Sequence, residues 1–169
     1  MATSDTATMP HPTPRVHLVQ VTRENVDRVL SLCVAPDQER FVGTPAEAIA
    51  KFHFDPDATA LAICDYGTRK IVGLLVYCIR PGKRDVELCR FLVDCKEQRR
   101  GYGGAALQVL ISLLHVAMFV PGDGGATAHV YTHVANVDAH RLYRRAGFVF
   151  DEEPCDQDNV HASLVLTPM

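Results

Sequence analysis

The chain has 169 residues, 47% of them hydrophobic and 22% charged, with a formal net charge of -3. That length suits one domain with a real core, which hides roughly 70% of the surface of the unfolded chain. The mild acidity excludes the basic excess that nucleic-acid binding needs, and no apolar stretch reaches membrane-spanning length.

Residues 1–14 are rich in Thr, Ala and Pro and read as a disordered tail without the apolar core of a signal peptide. Residues 15–169 then form the single folded domain. Val16 to Val21 alternates as a short strand, and Thr22 is the expected N-cap of a helix that shows Val26, Val29, Leu30 and Cys33 on one face. Pro36 stops that helix. Gln38 to Thr44 is a loop or a short helical turn, and Pro45 opens a helix to about Phe52. Thr59 to Tyr66 and Lys70 to Ile79 are apolar strands joined at Gly67 and Thr68, a hairpin. Pro81 and Gly82 turn the chain into a third strand, Asp85 to Val93.

A glycine-rich segment follows, then a helix from about Gly103 to Met118, whose apolar end at Val109 to Val120 reads as buried. Pro121 to Gly125 is a loop. Thr127 to Val134 is a strand, and Asp138 to Ala146 is a helix closed by Gly147. Phe148 to Phe150 and Val160 to Leu166 are the last strands. The order defines a mixed α/β domain with a mostly antiparallel sheet flanked by helices.

Six cysteines are present: Cys33, Cys64, Cys78, Cys89, Cys95 and Cys155. None forms a Cys-x-x-Cys pair, which argues against a zinc site or a redox dithiol. Cys64, Cys78 and Cys89 sit in apolar runs, as reduced cysteines of a reducing, cytoplasmic setting do.

The chemistry centres on Gln98-Arg99-Arg100-Gly101-Tyr102-Gly103-Gly104. Glycines leave backbone N–H groups uncovered, and a helix N-terminus adds unpaired donors and partial positive charge. Together they suit a phosphate or pyrophosphate, to which Arg99 and Arg100 add charge. The segment is neither a Walker loop nor a dinucleotide fingerprint, since it lacks the Gly-Lys-Ser/Thr ending of the first and the glycine spacing of the second.

Gln98-x-x-Gly101-x-Gly103 after an apolar strand resembles the coenzyme A motif of the GCN5-related N-acetyltransferases. Asn136-x-x-Ala139-x-x-Leu142-Tyr143-x-x-x-Gly147-Phe148 is similar to the later helix motif of that family. The resemblance runs from about Val16 to Leu166. It implies that the strand before the loop parts from its neighbour at a bulge. Backbone near Leu92 and Val93 then pairs with the pantetheine arm. Arg99 to Gly104 take the pyrophosphate, and Asn136 and Tyr143 lie near the thioester. Acetyl-CoA is the implied co-substrate, with no metal, and the family often pairs through sheet edges, so a homodimer is in view.

Tyr143 stands where the family's catalytic tyrosine stands and is the expected acid. Glu87 precedes Gln98 by the spacing of the catalytic glutamate in the histone-acetylating branch and is the expected base. His129 and His133, two apart on one strand, are weaker relay candidates. Leu32 to Val42 and Arg90-Phe91-Leu92-Val93-Asp94 resemble bacterial spermine/spermidine acetyltransferases, although no aromatic residue adjoins Glu87 as that branch would have it. The expected acceptor is a polyamine or other small amine, met by carboxylates at Asp37, Glu39 and Asp151 to Glu153. A lysine or N-terminal amine of a protein is the alternative within the class, and a non-catalytic acyl-CoA-binding module the alternative outside it.

Overall fold

The computed structural model describes residues 15–80, 84–118 and 125–166. The tail, the Pro81–Gly82 turn and most of the Pro121–Gly125 loop lie outside the described residues. The elements run β1 (Val16–Gln20), α1 (Val26–Leu30), α2 (Glu39–Val42), α3 (Pro45–Phe52), β2 (Ala58–Asp65), β3 (Ile71–Ile79) and β4 (Asp85–Val93). They continue as α4 (Tyr102–Met118), β5 (Ala126–His133), α5 (Val137–Arg145), β6 (Val149–Phe150) and β7 (Asn159–Leu166).

The strands form one sheet in the order β1-β2-β3-β4-β5-β7-β6. Every neighbouring pair is antiparallel except β4 and β5, which run parallel. β3 holds the middle and is buried on both faces from Ile71 to Val76, which is why its sequence is a continuous apolar run. One core lies between the sheet and α4 with α5, built on Leu107, Leu110, Val130 and Phe148. A second lies between the sheet and α1 with α3, built on Val29, Ala48, Leu74 and Leu92.

α3 begins as its sequence says. Pro45 stands in the first turn, and Thr44 and Glu47 exchange hydrogen bonds in a capping box. α1 differs from its expectation. It starts at Val26 after Asn25, and Asn25 Oδ1 accepts from the Thr22 N–H at 2.8 Å, so Thr22 is not the cap. Leu30 and Cys33 face solvent, while Leu32 and Val34 are buried. The helix stops at Leu30, and the following extended segment resets which residues point inward. The late turns of α4 are also less buried than their apolarity suggests: Leu114 faces the core, but Leu113 and Val116 are exposed. Among the described residues, no helix is long and apolar enough to cross a membrane.

Gly73 marks the tightest approach in the sheet. A Cβ built there would stand 2.5 Å from the Leu92 carbonyl oxygen and 2.8 Å from Ile63 Cδ1. Backbone cannot yield as a flexible side chain can. Gly73→Ala is therefore expected to destabilise the fold by about 1–3 kcal/mol, read as a lowered midpoint in urea at constant slope.

Candidate functional site

A bulge in β4 shapes the site. Val76 pairs with Arg90 and Tyr77 with Leu88, so Cys89 is the extra residue. The extra residue shifts the alternation by one. Val86 and Leu88 face the α4 side before it, and Phe91 and Val93 do so after it. β4 pairs with β5 only from Asp85–Thr127 to Leu88–Val130. Beyond that point both strands continue, to Val93 and to His133, without pairing to each other. The bulge bends β4 away, and a wedge opens between two parallel strands.

The N-terminus of α4 sits at the mouth of this wedge. Ala105 N–H donates to Gly101 O at 3.1 Å, which makes this the first helical bond. By helix geometry, the N–H groups of Tyr102, Gly103 and Gly104 have no partner within α4. The first turn of α4 holds no acidic side chain. Arg99 (φ 60°) and Gly101 (φ 87°) both take left-handed backbone to bring the chain round. For Arg99 that conformation costs on the order of 1 kcal/mol, and such strain collects at functional sites.

Gly103 and Gly104 are helical rather than part of the loop. A Cβ at Gly103 would make only ordinary contact with Leu142 and Val93, and one at Gly104 would meet nothing within 4 Å. Two glycines in the first turn of a helix cost stability relative to alanine, at roughly 1 kcal/mol each for interior positions. The packing of the chain does not demand Gly104. A ligand lying against the backbone would.

The loop is fastened from behind. Glu97 is buried and pairs with both Lys70 and Arg100. The Tyr102 hydroxyl donates to Asp65 Oδ2 at 3.0 Å, and burial, reinforced by this pairing, keeps its proton on above the usual phenol range. The Gln98 amide donates to Val93 O at 3.0 Å and Gln38 Oε1 at 2.7 Å, which ties β4, the loop and the α2 segment together.

One cavity of about 990 Å³ occupies the wedge. Its lining includes Glu87, Leu92, Val93, Gln98, Arg99, Gly101, Tyr102, Gly103, Gly104, Asn136 and Tyr143. Arg100 is not part of it, because its guanidinium turns to Glu97 and lies 5.8 Å from the Tyr102 ring. Tyr102 reaches the cavity while its hydroxyl is spent on Asp65. Asn136 lines the cavity as the N-cap of α5, its Oδ1 accepting from Ala139 N–H at 3.2 Å. Tyr143 is buried, packs edge-on against Phe148 at 5.5 Å between ring centroids, and has its phenol pushed up by burial.

The expected histidine pair divides. His133 lines the cavity with its ring against Phe41 at 5.0 Å. His129 lies outside the lining and joins a surface chain, with His129 Nδ1 2.9 Å from His161 Nε2 and His161 Nδ1 2.9 Å from Asp151. Asp37, Glu39 and Asp151 to Glu153 do not line the cavity; its carboxylates are Glu87, Glu97, Asp138 and Asp156, set beside Arg90, Arg99, Arg141 and Arg145. Sequence reading missed Arg90, Asp138 and Asp156 as lining residues. Arg90 sits on an apolar strand where parity predicts nothing past a bulge, and the others lie on segments that only the fold brings to the wedge.

A parallel pair splayed at a bulge, with a glycine-rich helix start at its mouth, opens one cavity at the end of a mixed α/β sheet. The Acetyltransferase (GNAT) family matches residues 26–148, and the chain belongs to that family. It is an N-acetyltransferase by that membership. No curated protein sequence matches the chain. Solved structures share the fold at low identity. The spermidine N-acetyltransferase of Vibrio cholerae, solved with CoA and spermine, is 14% identical over 90% of this chain and 96% of its own, with a TM-score of 0.71. The GNAT domain of S. lividans PAT is 16% identical over 91% and 94%, also at 0.71. The ribosomal-protein-S18-alanine N-acetyltransferase of Escherichia coli is 17% identical over 91% and 96%, at 0.65.

Gly104→Ala separates stability from binding. The substitution is expected to raise the thermal midpoint, since alanine favours the helix by up to about 1 kcal/mol. If the cavity holds a ligand against this backbone, the same methyl group should weaken acetyl-CoA binding at least tenfold by calorimetry, since it projects into the cavity that Gly104 lines.

Proposed function

We propose that the chain moves the acetyl group of acetyl-CoA to the primary amine of a small molecule, with polyamines among its acceptors. The observation that carries this reading is the wedge itself: open strand, bare helix start, Glu87 and Tyr143 line one cavity. The pantetheine amides pair with β4 backbone past the bulge, which gives those groups the partners β5 no longer supplies. The pyrophosphate lies on the N–H groups of Tyr102 to Gly104, with Arg99 alongside. A cavity of about 990 Å³ has room for the acyl arm and an acceptor.

An alkyl amine has a pKa near ~10.4, so at neutral pH only about 0.04% carries the free lone pair, a deficit of about 4.6 kcal/mol. Glu87 takes that proton, directly or through water. The neutral nitrogen attacks the thioester carbonyl, the collapsing intermediate expels the coenzyme A thiolate, and the second proton shed by the nitrogen as it becomes an amide passes to that thiolate.

Tyr143 then acts as a hydrogen-bond donor. Its raised phenol is a weaker acid than a thiol near ~8.5, so full transfer to the thiolate is uphill, while a hydrogen bond in a dry site is strong. The phenol stays protonated throughout the working pH range. Tyr143→Phe should lower kcat by roughly ten- to a hundredfold with little change in acetyl-CoA affinity, and leave the alkaline limb of the pH–rate profile in place. Glu87→Gln should lower kcat at least tenfold with little change in acetyl-CoA affinity, read by steady-state kinetics and calorimetry.

The polyamine class rests on the likeness of the Leu32–Val42 and Arg90–Asp94 segments. The spermidine N-acetyltransferase fold match adds to it. The mixed charge of the lining leaves room for amines that also carry an acidic or neutral group. An acceptor screen that follows free-thiol release decides the matter. Spermidine, spermine and small diamines are expected to turn over faster than basic peptides. Turnover of peptides alone would make the chain a protein acetyltransferase, and thiol release with no amine acceptor would refute amine transfer.

A further inference from the structure

Cys33 and Cys95 are 62 residues apart in sequence, yet their Sγ atoms stand 3.0 Å apart. The absence of a Cys-x-x-Cys spacing gave no sign of this, because the two meet only when the segment after α1 crosses the end of β4. Two hydrogen bonds hold them there. Cys95 N–H donates to Cys33 O at 2.6 Å, and Cys33 N–H donates to Asp94 Oδ2 at 3.3 Å. Asp94 is itself buried and anchored, its N–H donating to Val72 O at 2.8 Å. The sulfur atoms are thus brought within reach of each other by these contacts.

We propose that Cys33 and Cys95 are a redox-active dithiol, closed to a disulfide by a small disulfide oxidant such as oxidised glutathione. Cys33 is exposed and meets the oxidant. Its thiolate attacks one glutathione sulfur and expels the first glutathione as a thiol. Cys95 then attacks the Cys33 sulfur of the mixed disulfide and expels the second. Two protein S–H bonds and one glutathione S–S bond are lost. One protein S–S bond and two glutathione S–H bonds are gained, so glutathione is reduced as the protein is oxidised. The hydrogen bond to Cys33 holds the Cys95 thiol protonated above its usual range, which fits Cys33 as the attacking sulfur.

The other close pair, Cys78 and Cys89 at 3.2 Å, is a poorer substrate. Cys78 is fully buried, and burial suppresses the thiolate of both. A bound cation is also a poorer occupant of the Cys33–Cys95 cluster. Two thiolates on one tetrahedral zinc stand about 3.8 Å apart. The Asp94 oxygens are already taken by the N–H groups of Cys33 and Lys96.

The disulfide would act on the cavity whatever ligand the cavity takes. Cys33 immediately precedes Val34, and Gln38 and Phe41 follow on the same wall. Cys95 lies between Val93 and the Gln98 loop on the other. At present those walls are joined by the Gln38–Gln98 hydrogen bond. A covalent link would staple the α1–α2 segment to the strand it covers.

The test treats the full chain with oxidised glutathione, then maps disulfides by mass spectrometry and follows amide hydrogen exchange. The intact protein is expected to lose two hydrogens, with one link between the peptides carrying Cys33 and Cys95, reversed by dithiothreitol. Cys33→Ser and Cys95→Ser should each abolish the link, and the double variant Cys78→Ser, Cys89→Ser should keep it. Exchange across residues 35–42 should slow at least tenfold on oxidation. A stable glutathione adduct on Cys33, a link between another pair, or thiols shielded by a metal that a chelator removes would overturn the dithiol. Unchanged exchange across residues 35–42 would overturn the staple.

Discussion

The site depends on β4 and β5 being forced to stop pairing. Neighbouring parallel strands normally keep their ladder, because unpaired N–H and C=O groups away from water are costly. Here one extra residue, Cys89, bends β4 off its neighbour after Leu88. The rest of the sheet makes the parting sustainable. β3 stays bonded to β4 as far as Val93, and Gly73 lets the two backbones close tightly opposite Leu92. One edge of β4 is held while the other runs past Leu88 without pairing to β5.

The mouth of the wedge shows the same division between a held back and an open front. Glu97 with Lys70 and Arg100, and Tyr102 with Asp65, fasten the loop from behind. In front, left-handed backbone at Arg99 and Gly101, then Gly103 and Gly104, keep the start of α4 bare. Arg99 takes a disfavoured conformation, and Gly104 sits in a helix where a side chain would meet nothing within 4 Å, so stability is given up at both. Such a pattern is what an anion-binding helix start requires, and it explains why Arg99 tolerates a conformation that arginine disfavours.

Most elements were legible because their local signals agree. Pro45 with Thr44 and Glu47 set α3, and Gly147 closed α5 with φ 97°; the β2–β3 hairpin falls at Gly67 and Thr68 as expected, although its left-handed residue is Arg69 (φ 60°). The loop motif, with Asn136 and Tyr143, located the cavity. What could not be read were side-chain directions that depend on tertiary position. The bulge at Cys89 inverts facing beyond it, so Phe91 and Val93 turn to the α4 side where unbroken alternation would place Arg90 and Leu92. Arg100 looked like a phosphate ligand but is claimed by Glu97, a residue whose burial no periodicity shows. Cys33 was misplaced because α1 ends about one turn earlier than its apolar spacing suggests, and Leu30, its last residue, is exposed. The meeting of Cys33 with Cys95 depends on topology alone.

These features reduce to one claim: an acyl carrier binds along β4 with its phosphates on the first turn of α4. Titrating the ¹⁵N-labelled protein with acetyl-CoA and following backbone amide signals tests it directly. The account predicts the largest changes at residues 91–93 and 101–105, with smaller ones across β5 past Val130. Saturable binding that leaves those amides unmoved and shifts a different surface would contradict it.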